Sequence, residues 1–138
     1  EPTAQPALPA AIAAIHAENF PVGLHTCGYR PDRLAALIEN PHTRPEWIGI
    51  DVKGLAEDMP AVVGGTLRRA ELAWESLRLV TAAARRGELS VEVRTTVWSG
   101  SVLEAHLPVL TERVAELEFP LVVHQARGVD ANGRYVAS

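Results

Sequence analysis

Apolar residues recur along the chain in two alternating patterns, one typical of helices and one typical of strands. Apolar positions three or four residues apart predict helices over residues 7–18, 31–40, 68–86 and 107–117. Shorter runs rich in β-branched and aliphatic residues predict strands over residues 22–26, 47–53, 90–98 and 121–125. Strands that alternate with helices form right-handed βαβ units. The sequence therefore predicts an α/β fold with one parallel sheet, either open or curled into part of a barrel.

Proline and glycine residues mark several of the predicted element ends. Pro31 suits the first turn of the second helix, and Gly87 suits the position just after the third. Ser101 and Glu104 have the spacing of a capping box, but Pro108 would break a helix that began there. We therefore expect a short turn followed by the main fourth helix, with this proline in its first turn. The tail of the chain is predicted to be irregular.

The composition is that of globular material with one core. The chain has 138 residues, of which 47% are hydrophobic and 22% charged, and its formal net charge is −4. This length supports one compact domain, and neither a repeat nor a linker interrupts it, so residues 1–138 are predicted to be a single domain. No apolar run reaches the eighteen residues of a membrane span, and no basic stripe is present for nucleic acid. From the abrupt start at Glu1, with a helix first, we expect this chain to be a piece of a longer one.

Cysteine and lysine each occur only once. Cys27 alone supports neither a disulfide nor an iron–sulfur cluster, and we interpret it as a buried, reduced thiol of a cytoplasmic protein. The five histidines include no pair at metal-ligand spacing, so no metal site is predicted. Twelve of the thirteen basic residues are arginine, which leaves Lys53 as the only compact ammonium group. Lys53 is therefore a candidate for a specific contact.

Charged side chains lie on one face of the two central predicted strands. Side chains alternate across a strand, and the aliphatic face of these two strands holds Ile48, Ile50, Val52, Val91, Val93, Thr95 and Val97. The opposite face, named the polar face, holds Gly49, Asp51, Lys53, Glu92, Arg94 and Thr96, with His25 from the first strand and His124 from the last. A parallel sheet that is packed on both faces would instead be almost entirely apolar. The polar face is therefore the candidate site.

Two interpretations of the polar face remain open. In the first, each carboxylate only neutralises the basic residue two positions later: Asp51 with Lys53, or Glu92 with Arg94. In the second, these groups bind a polar ligand, because most of them lie near the carboxyl ends of their strands, where α/β proteins place ligand sites. We favour the ligand. A zwitterion would suit, because its carboxylate would meet Lys53 and Arg94 while its amino group met a carboxylate.

Four segments resemble motifs of the radical S-adenosylmethionine superfamily, in the same order and with matching spacing. Residues 1–5, Glu-Pro-Thr-Ala-Gln, resemble the end of the Gly-Gly-Glu-Pro segment that follows the second barrel strand. Residues 25–29, His-Thr-Cys-Gly-Tyr, resemble the Thr-Asn-Gly turn after the third strand, with Cys27 where the family often has Asn. Residues 47–53, Trp-Ile-Gly-Ile-Asp-Val-Lys, resemble the Asp-x-Lys strand of glycyl-radical activating enzymes. Residues 94–100, Arg-Thr-Thr-Val-Trp-Ser-Gly, resemble their fifth strand and the following turn.

The resemblance points most strongly to the activating proteins of anaerobic ribonucleoside-triphosphate reductases, and it implies a partial (β/α)6 barrel. This chain would hold parallel strands three to six with their helices. The family binds a [4Fe–4S] cluster through a CxxxCxxC loop after the first strand, and this chain lacks that loop. With S-adenosylmethionine, the family generates a 5′-deoxyadenosyl radical that takes a hydrogen atom from a glycine of the partner enzyme. We therefore expect the chain to be inactive by itself.

The resemblance also implies which residues bind S-adenosylmethionine, and none of them is catalytic or a metal ligand. Carried over by position, the cofactor-binding residues are Glu1, Thr26, Asp51, Lys53, Arg94, Thr96 and His124. Glu1 would help to hold the methionyl amino group. Relatives with Gln in the last strand make Gln125 an alternative to His124, whereas side-chain parity selects His124. The implied partners are a glycyl-radical enzyme, namely the anaerobic reductase, and an electron donor such as flavodoxin.

Two other functions remain open. A different radical S-adenosylmethionine enzyme, such as a nucleoside-modifying synthase, would share the cofactor site. A barrel fragment that binds a phosphorylated metabolite without radical chemistry would not. Against that fragment, neither Gly28 nor the pair Gly64-Gly65 belongs to a phosphate-binding loop before a helix. The serines have no nucleophile-elbow setting, so hydrolase chemistry is poorly supported.

Overall fold

The computed structural model describes residues 1–136 as an α/β fold in which four parallel strands alternate with helices. The strands are β1 (Gly23–Thr26), β2 (Trp47–Asp51), β3 (Ser90–Val97) and β4 (Leu121–Gln125). A 3-10 helix (Pro2–Ala4) precedes the α-helices, which are α1 (Leu8–Ala17), α2 (Pro31–Glu39), α3 (Met59–Val63), α4 (Leu67–Arg85), α5 (Val102–Ala105) and α6 (Leu107–Ala115). The predicted α/β fold with one parallel sheet and the four predicted strands are confirmed. None of the helices in this described part of the chain is long and apolar enough to cross a membrane.

Two short helices and one strand end differ from the prediction. The 3-10 helix and α3 span three and five residues, which is too short for an apolar period to show. β2 ends at Asp51, and Gly54, with a φ of 139°, then turns the chain. The Val52 N–H still donates to the Arg94 carbonyl at 2.8 Å, so Lys53 leaves directly from the carboxyl end of the sheet. α5 is the short turn expected before Pro108, and α6 is the main helix.

Strands that follow one another in the chain lie side by side in the sheet. The order is β1-β2-β3-β4, and every neighbouring pair is parallel. The register places Asp51 beside Arg94 and Thr96 beside His124. Paired residues in neighbouring strands direct their side chains to the same face. All four strands therefore contribute to the predicted polar face.

The aliphatic face of the sheet packs against the helices. Ile48, Ile50 and Val93 are at most 1% exposed. The helices bury a matching set of apolar side chains, which includes Leu34, Leu37, Ile38, Trp74, Leu77, Val80, Leu103, Leu110 and Val114. Each fully buried aliphatic side chain contributes roughly 1.5–3 kcal/mol to stability. The polar face is more accessible, since His25 and His124 are both exposed.

A close contact fixes the turn after β1 against α4. Gly28 has a φ of 76°, and a Cβ at this position would lie only 2.9 Å from the Cβ of Ser76. The Ser76 hydroxyl donates a buried hydrogen bond to the Gly28 carbonyl at 2.6 Å. Both the backbone conformation and the space require glycine here. The turn that follows β1 is thereby held to the longest helix of the fold.

Candidate functional site

Three charged side chains meet on the polar face at the carboxyl ends of β2 and β3. Asp51 Oδ2 accepts a hydrogen bond from Lys53 Nζ (2.9 Å), and Asp51 Oδ1 accepts one from Arg94 Nε (2.8 Å). These three residues are named the ion cluster, and their side chains are 23–31% exposed. Of the ion pairs considered from the sequence, Asp51–Lys53 forms. Arg94 pairs with Asp51 of the neighbouring strand rather than with Glu92.

The ion cluster holds Asp51 as a carboxylate and keeps one net positive charge. Partial burial by itself raises the pKa of Asp51, but the hydrogen bonds and charges of Lys53 and then of Arg94 outweigh it and lower the pKa. Lys53 carries three N–H donors and Arg94 five, and Asp51 accepts one from each. The other donors of both cations suit a carboxylate or a phosphate group.

A groove of about 280 Å³ lies beside the ion cluster. Lys53 and Thr96 line it on the side of the sheet, and the pair Val62-Val63, Leu103 and Trp98 give it apolar and aromatic walls. A cation beside an apolar and aromatic surface suits a ligand that carries an anionic group on a flat or apolar body. The groove extends the candidate site beyond the residues named from the sequence.

The C-terminal turn holds Trp98 in the wall of the groove. Trp98 Nε1 donates to the Ala131 carbonyl at 3.2 Å. Gly133 has a φ of 75°, and a Cβ there would lie 2.9 Å from the indole ring, so glycine allows this close approach. The Asp130 carboxylate accepts from the Asn132 N–H at 2.8 Å and stabilises the turn. The irregular tail was predicted, but its contact with the groove was not, because it joins residues more than thirty positions apart.

Glu1 joins the start of the chain to the end of β1. Its carboxylate accepts five hydrogen bonds, from the N–H and hydroxyl of Thr3, the hydroxyl of Thr26, and the N–H and thiol of Cys27. Burial opposes ionisation, but the hydrogen bonds from Cys27, Thr3 and Thr26 together lower the pKa of Glu1 to about 2. Thr26 is 4% exposed, and its oxygen also accepts from the Gly28 N–H at 3.0 Å. Both Glu1 and Thr26 are thus already engaged within the chain.

The surroundings of the Cys27 thiol oppose its ionisation. Burial raises the pKa of Cys27 to about 11, and the hydrogen bond to Glu1 and the negative charge of Glu1 add to this effect. The backbone of Tyr29 and the positive charge of Lys53 act in the opposite direction. Lys53 is therefore close enough to the turn after β1 for its positive charge to act on the Cys27 thiol. Cys27 is free but only half-buried, so the expectation of a fully buried thiol is wrong, and its bond to Glu1 is what engages it.

The last strand places His124 on the polar face. His124 pairs in register with Thr96, whereas Gln125 pairs with Val97 on the aliphatic face. The register therefore supports the choice of His124 over Gln125 as a candidate for the site. His124 is exposed, and its side chain has no hydrogen-bond partner within residues 1–136. A contact between His124 and a ligand stays a prediction.

A tryptophan that sequence reasoning did not select covers part of the polar face. The ring of Trp47 lies over Gly49, where a Cβ would come within 2.5 Å of it. His25 meets the edge of this ring in a T-shaped contact, with ring centroids 4.9 Å apart. The side chain of Glu92, in register with Gly49, makes no hydrogen bond to any of the described residues. Trp47 could have been found from the sequence, because it has the same strand parity as Asp51.

The seven site residues proposed from the sequence fall into three groups. The first is the ion cluster of Asp51, Lys53 and Arg94. The second is the neighbouring pair of Thr96 and His124 at the ends of β3 and β4. The third is Glu1 with Thr26, which bond to each other and not to the ion cluster. The structure therefore brings five of the seven residues to neighbouring positions at the carboxyl ends of β2, β3 and β4.

Metal ligands and known relatives give no further guide to function. Among residues 1–136, no group of three or more His, Cys, Asp or Glu side chains is placed to hold a metal ion. Comparisons with known protein families, with curated proteins and with solved structures found no match to this chain. Function is therefore inferred from the geometry and chemistry of the site.

Proposed function

We propose that this chain is the S-adenosylmethionine-binding portion of a radical S-adenosylmethionine activating enzyme, built on a partial (β/α)6 barrel. The complete enzyme would work in the cytoplasm and would generate a glycyl radical on an anaerobic ribonucleotide reductase, through hydrogen abstraction by a 5′-deoxyadenosyl radical. The ion cluster is the main observation in support of this proposal. It offers cationic donors beyond those used by Asp51, at the carboxyl ends of two parallel strands.

The proposed ligand matches the charges and the shape of the site. The methionyl carboxylate would accept from Lys53 and Arg94, which retain donors after binding Asp51. The adenosine would occupy the groove, where Lys53 and Thr96 adjoin the indole of Trp98. His124 would approach the ligand from the end of β4. Glu92 is the carboxylate of the polar face that remains for the methionyl amino group, since Glu1 is engaged elsewhere.

The proposal assigns the radical chemistry to groups outside this chain. Cys27 is its only cysteine, and a [4Fe–4S] cluster takes three or four ligands, so a CxxxCxxC region would have to supply them. The glycyl-radical enzyme and an electron donor such as flavodoxin would be the protein partners. Within this chain, the residues bind and orient S-adenosylmethionine.

A binding experiment with paired ligands tests the proposal. Calorimetric titration of the 138-residue chain would compare S-adenosylmethionine with 5′-methylthioadenosine, which lacks the amino-acid group. We expect S-adenosylmethionine to bind at least about tenfold more tightly, because only its carboxylate reaches the cations. Arg94→Ala should reduce this difference, because only Lys53 then remains for the carboxylate, whereas Arg68→Ala, which removes an exposed cation on α4, should not. Equal affinities for both ligands, or no binding of S-adenosylmethionine, would refute the proposal.

A second candidate is a phosphorylated metabolite bound without radical chemistry. The observation in its favour is that both Asp51 and Glu1 are already bonded to donors of the chain, so the site is richer in free donors than in free carboxylates. A purely anionic ligand would suit such a site. Inorganic phosphate is the probe that separates the two candidates. Tight phosphate binding, with no preference for S-adenosylmethionine over 5′-methylthioadenosine, would favour the metabolite.

A further inference from the structure

α3 forms one wall of the groove and has glycines on both sides. The pair Val62-Val63 lines the groove from α3, and Leu103 lines it from α5. Gly54 precedes α3 with a φ of 139°, and the pair Gly64-Gly65 follows it with φ angles of 74° and 90°. A Cβ at Gly64 would meet no atom within 4 Å, so there is open space around this end of the helix. The backbone can therefore rotate where α3 ends, whereas the buried hydrogen bond from Trp74 Nε1 to the Gly54 carbonyl (3.1 Å) holds the loop that leads into α3.

Few contacts hold α3 in place. Of its five residues only Met59 is buried, and Val63 is 44% exposed. The side chain of the preceding residue, Asp58, makes no capping hydrogen bond to the helix. A helix of this length has little stability of its own, and one buried side chain adds little to it. A contact outside the helix can therefore add appreciably to what holds α3 in place.

That contact is a hydrogen bond between Asp58 and His106. Asp58 Oδ2 accepts from His106 Nδ1 at 2.6 Å, with the Asp58 side chain 13% exposed and His106 47% exposed. His106 lies at the junction of α5 and α6, so the bond joins the loop after β2 to the loop after β3. The pair stands directly behind the groove, because a Cβ at Gly54 would lie 3.7 Å from Asp58 Cβ and 3.8 Å from Leu103 Cδ1. Lys53 is the residue before this glycine.

We propose that His106 and Asp58 are positioning residues whose hydrogen bond latches α3 against α5 and keeps the groove closed around its ligand. When the bond is broken, residues 58–65 move about the pair Gly64-Gly65, while Gly54 stays bonded to Trp74, and the wall formed by the pair Val62-Val63 leaves the groove. The latch itself does not depend on the ligand, and only the choice of S-adenosylmethionine as the ligand rests on the proposed function.

Hydrogen exchange of α3 amides measures the latch without any ligand. The N–H groups of Val62 and Gly64 donate to the Asp58 and Pro60 carbonyls, so their exchange reports opening of the helix. His106→Ala should speed exchange of both amides about ten- to a hundredfold, as expected for the loss of a hydrogen bond to a charged group. His106→Asn should restore slow exchange, because an amide nitrogen can donate to Asp58 from nearly the position of Nδ1. His42→Ala, at an exposed histidine in the loop before β2, is the matched control.

A double substitution distinguishes the latch from a general loss of stability. If His106 acts through Asp58, then Asp58→Ala, His106→Ala and the double variant should speed exchange equally. The amide of Ile50 in the central strand should stay protected in all three. Unchanged exchange at Val62 and Gly64 in His106→Ala would overturn the proposal. So would an equal increase at Ile50, since the whole chain would then be opening.

Ligand binding completes the test. S-adenosylmethionine should slow exchange at Val62 and Gly64 in the wild-type chain, and its affinity should fall about tenfold or more in His106→Ala and recover in His106→Asn. If S-adenosylmethionine does not bind the wild-type chain, the proposed function fails, while the exchange data still support the latch. If it binds and His106→Ala opens α3 without weakening that binding, the closing role of the latch is wrong and the proposed function stands.

Discussion

Replacing Lys53 by alanine would remove one partner of Asp51 while the other stays in place. The lost hydrogen bond is 2.9 Å long, and the two side chains are 31% and 26% exposed. Water screens such a pair, so the free energy of unfolding should fall by about 0–1 kcal/mol. Arg94, at 2.8 Å, still keeps Asp51 from being buried without a partner, which would cost roughly 3–5 kcal/mol. For a chain of this length, a loss of 1 kcal/mol lowers Tm by about 3–6 °C.

The same substitution should have a larger effect on ligand binding. A charge-assisted hydrogen bond from Lys53 to the carboxylate of S-adenosylmethionine contributes roughly 1.5–3 kcal/mol, which corresponds to about ten- to a hundredfold in affinity. Titration calorimetry and thermal melting of the same samples measure the two effects. Arg68→Ala is the matched control, because it removes an exposed cation whose contact with Glu71 is 3.5 Å long. The control should change neither the affinity nor the Tm appreciably.

The combination of the two measurements decides between a binding site and a structural network. Weakened binding with a nearly unchanged Tm supports the role of Lys53 in binding. A fall in Tm of more than about 10 °C, with unaltered affinity in the protein that stays folded, would show that the ion cluster only stabilises the fold. If neither quantity changes, Lys53 contacts no ligand and the reasoning from its charge and position is wrong.

Three further predictions concern groups outside the ion cluster. Hydrogen bonds to the His42 carbonyl and to Glu46 raise the pKa of His16, so charged His16 stabilises the fold below about pH 6.5, and this contribution is lost as the pH rises through the folded-state pKa. Between pH 6 and 8.5 the Tm of the wild type should therefore fall more than that of His16→Ala, and parallel profiles would contradict this. With a pKa of about 11, Cys27 should react with iodoacetamide at pH 8 roughly two orders of magnitude more slowly than a free thiol. Glu1→Gln should accelerate this reaction, and a wild-type rate equal to that of the unfolded chain would exclude the Glu1 contact. Gly28→Ala should cost about 1–3 kcal/mol more in denaturant melts than Gly87→Ala, because both glycines have φ near 75° but only Gly28 would bring a Cβ against α4. Equal costs would mean that α4 moves away easily.

Periodicity predicted the long elements because each repeats its signal several times. α4 spans nineteen residues and buries one stripe, so its pattern is repeated over five turns. α3 has only five residues, so the apolar period of a helix cannot repeat within it. The end of β2 was placed two residues too late, because Val52 continues the apolar alternation although Gly54 already turns the chain. Local patterns therefore predict the interior of an element better than its ends.

In the candidate site, too, contacts between neighbouring residues were predicted and contacts between distant segments were not. Parity within one strand was enough to group Asp51 with Lys53, but the pairing of Asp51 with Arg94 depends on the register between two strands forty-three residues apart. The bond between Asp58 and His106 joins two loops and has no local signature at all. Such contacts follow from how the elements pack, and a single sequence does not encode them in any short pattern. The contacts that form the groove wall and the hydrogen bond between Asp58 and His106 are both of this kind.

The carboxylates of the site restrict which ligand groups can bind there more than the cations of the site do. Asp51 is bonded to both cations, and Glu1 is bonded five times within the chain, with a pKa of about 2 that keeps it a hydrogen-bond acceptor for its own donors. To bind a ligand amine, Glu1 would have to release a bond it already makes, which costs the ligand affinity. Asp51 has acceptor sites left, but the positive charges of Lys53 and Arg94 beside it repel an amine, which leaves Glu92 for that group. A ligand carboxylate requires no such exchange, because Lys53 and Arg94 have further donors. Recognition should therefore begin at the negative end of S-adenosylmethionine. An analogue with its carboxylate amidated should lose more affinity than one with its amino group acetylated, and the reverse order would show that Glu92 or Glu1 binds the amine more strongly than the cations bind the carboxylate.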